Sequence, residues 1–206
     1  MSAEDQLERM LAQSAPPPVG PVPDVGEAAA AAGLLDVAYA TLDSPAGPLL
    51  LASTPRGLVR LAYIDDGEQA VLEELSRRVS PRVLRSARKL DQPRRELDQY
   101  FAGARHAFEM SLDWQLISNF GRQILSATAR VPYGSVSTYK QMATEAGSPK
   151  GARAAGNALG ANPLPIVLPC HRILHADGGL GGYTGGLDRK RLLLSIESGQ
   201  RALAIG

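Results

Sequence analysis

"VPYGSVSTYKQMATEAGSPKGARAAGNALGANP", residues 131–163, decides how the second half of this chain is read. "VPYG" breaks what precedes it. "STYKQMATEAG" opens with a Ser or Thr suited to cap a helix and closes on Gly147, a residue that ends helices. "SPKG" is a short turn, and "ARAAGNALGAN" is a second helix of small residues. Two short helices joined by a tight glycine-containing turn predict a helix-turn-helix. The second helix is lined with Ala and Gly, so it can approach a nucleic-acid groove closely, and one arginine, Arg153, stands out from it.

Downstream lies "NPLPIVLPCHRILHADGG", residues 162–179, which holds the only cysteine of the chain. Pro163, Pro165 and Pro169 restrict the backbone approaching Cys170 and so hold its sulfur in place. A lone cysteine is by default a buried, inert thiol. His171 beside it changes the expectation, because an imidazole can take a thiol's proton or stabilise the thiolate. Glu197, in "DRKRLLLSIESG", can return to orient that imidazole and complete a Cys–His–carboxylate arrangement.

Upstream, the chain reads as three stretches. Residues 1–36 carry one base and six acids, a net −5, with five of the fifteen prolines packed into positions 16–23. Such a segment has little apolar surface to offset the entropy of ordering it, and a disordered tail is expected. Leu7, Met10 and Leu11 could line a short helix within it. From Val37, "VAYATLD", "PLLLAST" and "GLVRLAYI" predict strands, "GEQAVLEELSRRVS" and "DQPRRELDQYFAG" predict helices, and "HAFEMSLDW" predicts one more strand. Residues 37–116 therefore form a small mixed α/β domain. Residues 117–206 form a mainly helical one, starting with "NFGRQILSATARV", whose Phe120, Ile124, Leu125 and Thr128 share a face.

Composition narrows the function classes. With 44% hydrophobic and 21% charged residues the chain is ordinary and globular. No apolar run approaches the roughly 18 residues of a membrane span, and "MSAEDQLERMLAQ" lacks the features of a signal peptide. One cysteine forbids an internal disulfide. A cytoplasmic protein is expected, associated with the nucleoid if the source is bacterial. The net charge of +1 hides a gradient: residues 119–206 carry ten Lys/Arg against four Asp/Glu, a net +6, as a surface that meets phosphates would. No metal site is expected, because His171 and His175 do not sit in a helical pattern and His106 is the only other histidine. "GGLGGYTGG" fits neither GxGxxG nor the P-loop and is read as a flexible rim to a pocket.

Taken together, "VPYGSVSTYKQMA", "GARAAGNALGANP", "PCHRI" and "GGYTGGLDRKRLLLSIE" resemble, in order and spacing, the O6-alkylguanine-DNA alkyltransferases. The resemblance is specific from about Val131 to Glu197 and looser back to Val37. It implies a ribonuclease H-like α/β domain followed by a winged helix-turn-helix-like DNA-binding core. It implies direct, irreversible, single-turnover transfer of an alkyl group from guanine O6 in double-stranded DNA to the protein's own cysteine, with no cofactor and as a monomer. Carried over residue by residue, Cys170 is the acceptor, His171 its base through a bound water, and Glu197 the group orienting His171. Tyr139 supplies a proton to the leaving guanine and lies beside the phosphate of the flipped nucleotide. Arg153 fills the gap left in the stack, on a helix whose Ala152, Ala154 and Gly156 let it enter the minor groove. Asn162 joins the DNA-binding helices to the active-site turn, and Pro169, Tyr183 and Thr184 complete turn and pocket. A depressed thiol pKa is expected at Cys170.

The chain departs from the family pattern at Ala155, where valine is usual, and at Gly121 and Arg122, where glutamines often stand; the acidic tail is extra. Three other readings compete. A non-catalytic sensor of alkylated bases would lack the cysteine, which is present. A Cys–His–Glu hydrolase has no oxyanion donors to point to, and a DNA-binding regulator leaves "PCHR" accidental.

Overall fold

A computed structural model describes Ala29 and residues 32–199; the greater part of the expected tail, with its Leu7–Met10–Leu11 stripe, lies outside the described residues. The first strand is pinned where the tail meets it. Asp36 accepts hydrogen bonds from Ser80 Oγ at 2.6 Å and from Arg82 Nε at 2.9 Å.

The N-terminal half is a four-stranded sheet with two helices. Strands β1 (Val37–Leu42), β2 (Leu49–Thr54) and β3 (Gly57–Tyr63) form an antiparallel meander. Helix α1 (Gln69–Arg78) crosses over to β4 (Val83–Arg85), which pairs parallel with β1, so the sheet order is β3-β2-β1-β4. Helix α2 (Asp91–Phe101) follows and ends two residues before Gly103, which takes the left-handed conformation (φ 71°) that stops a helix. Both faces of the sheet are covered. Leu50, Ala52 and Val59 pack with Leu75 of α1 on one side. Leu49, Leu51, Leu58 and Leu61 face α2 and the C-terminal half on the other. A sheet buried on both faces needs no polar alternation, which is why "PLLLAST" shows none.

Two expectations differ from the structure. The short strand β4 was not anticipated, since three residues carry too little pattern to register. The segment "HAFEMSLDW" is not a strand; it makes a single bridge, Leu112 to Leu58. The reason is that the open edge of β3 is shared. Leu58 exchanges hydrogen bonds with Ser111 and Asp113, while three residues on, Leu61 N–H donates to Pro163 O of the C-terminal half at 2.9 Å. With Pro163 at the edge, the rest of 106–114 has no further strand edge to pair with.

The C-terminal half is helical. Helix α3 (Asn119–Ala129) is capped by Ser118 Oγ, which accepts from Gly121 N–H, and buries Ile124, Leu125 and Thr128 as read. Arg122 extends over the Trp114 ring at 5.3 Å. The helix-turn-helix is α4 (Tyr139–Glu145) and α5 (Ala152–Gly160), with Thr138 Oγ1 capping α4 and Gly147 (φ 77°) beyond its end. Residues β5 (Ser137–Thr138) and β6 (Ile173–Leu174) form a two-residue parallel ladder, and α6 (Leu187–Glu197) closes the described chain. The ladder fixes the residue opening α4, Tyr139, relative to the turn Cys170–Arg172 that leads into β6. Among the described residues no helix is long and apolar enough to cross a membrane.

Asp113 is the anchor of the inter-domain segment. Its buried carboxylate accepts from Thr54 Oγ1 (2.6 Å), Arg56 Nε (3.1 Å), Gln115 Nε2 (2.8 Å) and Gln115 N–H (3.1 Å). Asp113→Ala strands these donors and is expected to destabilise the protein by about 1–3 kcal/mol. Thermal unfolding measures this; an unchanged Tm would show that the segment is held by other contacts.

Candidate active site

Cys170 lies on a 3-10 turn reached through a tightly built loop. Asn162, buried at the end of α5, organises that loop with its whole amide. Its Oδ1 accepts from Leu164 N–H at 2.9 Å, and its Nδ2 donates to Leu168 O at 2.8 Å and to the Cys170 sulfur at 3.2 Å. Between these points the chain makes two three-residue turns. Val167 N–H donates to Pro165 O around Ile166, and Cys170 N–H donates to Leu168 O around Pro169 (φ −80°, ψ 61°). Ile166 has φ 70°, a conformation that costs a β-branched residue roughly 1–3 kcal/mol. The prolines and Asn162 hold it there, and with it the sulfur.

Burial pushes the Cys170 thiol up to about 11, with the Asn162 hydrogen bond and the Lys190 charge only partly offsetting it. This corrects the expected depressed thiol: the resting group is a neutral, shielded SH. His171 is fully buried, and burial lowers its pKa, opposed by Glu197. Its Nε2 lies 2.7 Å from Glu197 Oε1. A carboxylate only accepts, so Nε2 carries the hydrogen and Nδ1, buried and without a hydrogen-bond partner among the described residues, is the basic nitrogen.

Glu197 is the most heavily ligated side chain of the site. Arg172 donates Nε to Oε2 (2.8 Å) and Nη2 to Oε1 (2.9 Å), Tyr100 Oη donates to Oε1 (2.8 Å), and Gly134 N–H to Oε2 (3.3 Å). Burial pushes this carboxyl up, but the hydrogen bonds from His171 and Arg172 outweigh it and hold it at about 2. Arg172 also donates Nη1 to Val131 O at 2.6 Å, so it holds the turn and clamps Glu197 as well.

A pocket of about 610 Å³ opens above the thiol. Tyr139, Ala152, Arg153, Gly156 and Leu159 line one side; His175, Gly182, Tyr183 and Thr184 line the other, with Cys170 between them. Ala154 is exposed on α5 and does not line the pocket. Arg153 is exposed and forms no hydrogen bond or ion pair with another described residue. Burial raises the Tyr139 pKa, so its phenol stays a donor. Thr184 Oγ1 donates to Gly160 O at 3.0 Å, tying the glycine loop to the end of α5. Tyr183 Oη is 2.9 Å from Tyr63 Oη of β3.

The glycine loop is less a flexible rim than a close-packed one. A Cβ at Gly181 (φ 65°) would stand 2.5 Å from Tyr139 Oη, and one at Gly185 would stand 2.4 Å from the Tyr63 ring. Arg189 braces the same region from α6: its guanidinium lies 4.3 Å above Tyr63, with Nε donating to Ala46 O at 2.6 Å.

Tyr100, Tyr63 and Lys190 contribute to the site without a role in the sequence reading, because their partners are set by the tertiary fold. Tyr100 and Tyr63 come from the N-terminal half. Lys190 is fully buried on α6, where its Nζ donates to Ile173 O at 2.6 Å, to Leu180 O and to Gly182 O at 3.4 Å. Burial lowers it to about 8, yet three carbonyls saturate the three hydrogens of an ammonium and favour the charged form. One signal was available: Lys190, Leu193 and Glu197 fall on one helical face, so two charged residues share a stripe with a core leucine.

Comparison with known proteins places the molecule first in a class and then in a family. Residues 119–199 match the family model "6-O-methylguanine DNA methyltransferase, DNA binding domain", and residues 37–114 match its "ribonuclease-like domain", which together define a two-domain DNA-binding architecture. A methylated-DNA–protein-cysteine methyltransferase of Mycolicibacterium paratuberculosis is 38% identical over 161 residues, 78% of this chain and 92% of the relative. One from Methanosarcina barkeri is 33% identical, covering 77% and 96%. The crystal structure of the Mycobacterium tuberculosis O6-methylguanine methyltransferase superposes with a TM-score of 0.70 at 34% identity, over 82% of this chain and 97% of that one. A structure of the same organism's protein in complex with DNA gives 0.67 at 33% identity, over 79% and 94%. The chain belongs to the 6-O-methylguanine DNA methyltransferase family.

Two outcomes follow from the geometry. Gly181→Ala introduces a methyl group into the Tyr139 phenol at a positive φ, and is expected to cut the transfer rate by about tenfold or more through a displaced Tyr139; a quenched time course reads it, and wild-type rates would show that the loop gives way. Glu197, depressed below its ordinary 4.5, contributes stability that is present above that value and lost as the pH falls through about 2. His171, kept neutral below its ordinary 6.5, adds a loss in the same direction. Urea unfolding at falling pH should therefore show a steeper decline for wild type than for Glu197→Gln, and parallel curves would contradict this.

Proposed function

We propose that this protein repairs double-stranded DNA by moving the alkyl group of O6-alkylguanine to Cys170, once per molecule. The observation that carries the reading is the Cys170 sulfur at the floor of a pocket walled by the helix-turn-helix, with a buried His171–Glu197 pair beside it. A lesion inside the duplex reaches such a pocket only by extrusion. Arg153, exposed at the pocket mouth on α5, takes the vacated place in the stack, and Ala152, Ala154 and Gly156 let the helix come close.

Because the thiol rests near 11, attack and deprotonation are coupled. The thiol proton passes through a water molecule to His171 Nδ1, and Glu197 holds the imidazolium that forms. The sulfur bonds to the alkyl carbon as the carbon–O6 bond breaks, and its electron pair stays with guanine. Tyr139, kept protonated by burial, donates toward the leaving ring, and Lys190 offsets negative charge near the sulfur. Asn162 and Pro169 hold the thiol, while Tyr183 and Thr184 form the wall that the base slides against. The thioether has no route back, so the protein acts stoichiometrically.

Residues 37–116 act as the unit that braces the site, residues 117–206 as the unit that binds DNA and reacts, and the whole works as a monomer on chromosomal DNA in the cytoplasm, without a cofactor. An intact, positioned thiol supports an acceptor over a non-catalytic sensor. The test is intact mass after incubation with a duplex containing O6-methylguanine. One added methylene mass on the Cys170 peptide, saturating at one per molecule, is expected. Cys170→Ser should gain nothing while still binding the duplex, and Arg153→Ala should slow transfer by roughly 10- to 100-fold, having lost the side chain that offsets unstacking. Binding without mass gain in the wild type would overturn the transfer reading.

A further inference from the structure

Glu197 Oε1 accepts three donors: His171 Nε2 at 2.7 Å, Tyr100 Oη at 2.8 Å and Arg172 Nη2 at 2.9 Å. Two of these belong to the active-site turn. The third comes from α2, 97 residues away in sequence and in the other half of the protein. Tyr100 is almost completely buried and held in an aromatic cage, with Phe101, Phe108 and Tyr133 at centroid distances of 5.4, 5.5 and 6.1 Å. Its hydroxyl therefore has one direction to point, and Glu197 lies there.

We propose that Tyr100 is a positioning residue for alkyl transfer, whose hydroxyl sets how tightly Glu197 holds the His171 imidazole. This rests on the reading of Cys170 as acceptor and His171 as its base. An oxygen that shares its charge among three donors holds each less strongly than it would hold two. Removing the phenol O–H concentrates charge on Oε1, strengthens its bond to His171 Nε2–H and favours the imidazolium. An imidazolium cannot take the thiol proton. The hydroxyl thus keeps the base free at neutral pH while the carboxylate still orients it. Burial and Glu197 push the phenol's own pKa far up, so it remains a donor throughout the working range.

The other charged and titratable groups around His171 leave this role to Tyr100. Lys190 on α6 and Arg172 on the same turn both lower the imidazole's proton affinity through their charge. Cys170 precedes it, and Tyr183 meets it edge-on at 6.4 Å between ring centroids. Beyond Glu197, Tyr133 donates to Ile196 O at 3.2 Å, and His106 stacks on Tyr133 at 4.1 Å rather than reaching the carboxylate.

The experiment compares single-turnover transfer from an O6-methylguanine duplex across the acid range for the full-length wild type and Tyr100→Phe. The acid limb of the rate profile is expected to move up by about one pH unit in Tyr100→Phe, with duplex binding unchanged. Phe108→Leu loosens the same cage without touching the hydroxyl; it should lower Tm and leave the limb in place. A ring-fluorinated tyrosine at position 100, a stronger donor of the same shape, should move the limb the opposite way, and decides the matter if Tyr100→Phe does not fold. A limb that stays put in folded Tyr100→Phe overturns the proposal. Should the wild type transfer no alkyl group, the acceptor reading fails instead. The hydroxyl is then judged by NMR titration of the His171 ring, which must shift upward in Tyr100→Phe.

Discussion

A carboxylate withdrawn from water at Glu197 is the constraint on which this architecture turns. Left alone, a buried carboxylate would take up a proton. Here donors from three parts of the chain meet it: His171 and Arg172 from the active-site turn, Gly134 from the loop before α4, and Tyr100 from α2. No local stretch could supply that set. His171 and Arg172 hold the charge in place once Glu197 is buried, and Tyr100 adds a donor to the same oxygen from the other half. This explains why the N-terminal half, which contributes nothing to the pocket lining, matters to the chemistry.

Burial has a second consequence at the thiol. A sulfur held near 11 is a poor nucleophile toward stray electrophiles and a poor target for oxidants. That suits a residue that can react only once. Reactivity is withheld until a substrate fills the pocket and a base removes the proton during attack. The site gains selectivity from the very desolvation that a thiolate-based scheme would have to overcome, and the geometry of Asn162, His171 and Glu197 does the work that a low thiol pKa would otherwise do.

Much of this was legible in the sequence, for physical reasons that differ by element. The strands from Val37 to Tyr63 and the helices α1 to α6 announce themselves through apolar runs, caps and terminal glycines, all local features. Cys170, His171 and Glu197 were legible because thiol, imidazole and carboxylate form a recognisable chemical set, strengthened by the family resemblance. The segment 106–114 misread as a strand because its pattern is local while its pairing is not; Pro163 occupies the edge it would have used. The sign of the Cys170 shift failed for a related reason. An adjacent histidine suggests activation, but depth of burial is a tertiary quantity. Tyr100 carries no local mark at all: on α2 it reads as one more core aromatic, and only the partner of its hydroxyl sets it apart.

Strain completes the picture. Ile166 sits at φ 70°, a conformation glycine would adopt without cost, and it is fully buried between two prolines. A glycine there would relax the turn but leave the core short of a large aliphatic side chain, and would free the one stretch whose stiffness places the sulfur. The loop instead accepts a local penalty of roughly 1–3 kcal/mol. Asn162 offsets it with three hydrogen bonds, one of them to the sulfur itself. Because Asn162 follows directly on α5 and its side chain grips Cys170, a displacement of that helix is transmitted to the nucleophile through one amide. Rigidity on both sides of that amide makes the coupling effective: the γ-turn at Ile166 on one side, the β5–β6 ladder and the clamped Glu197 on the other. A softer loop would fold more easily and would let the thiol lose its aim.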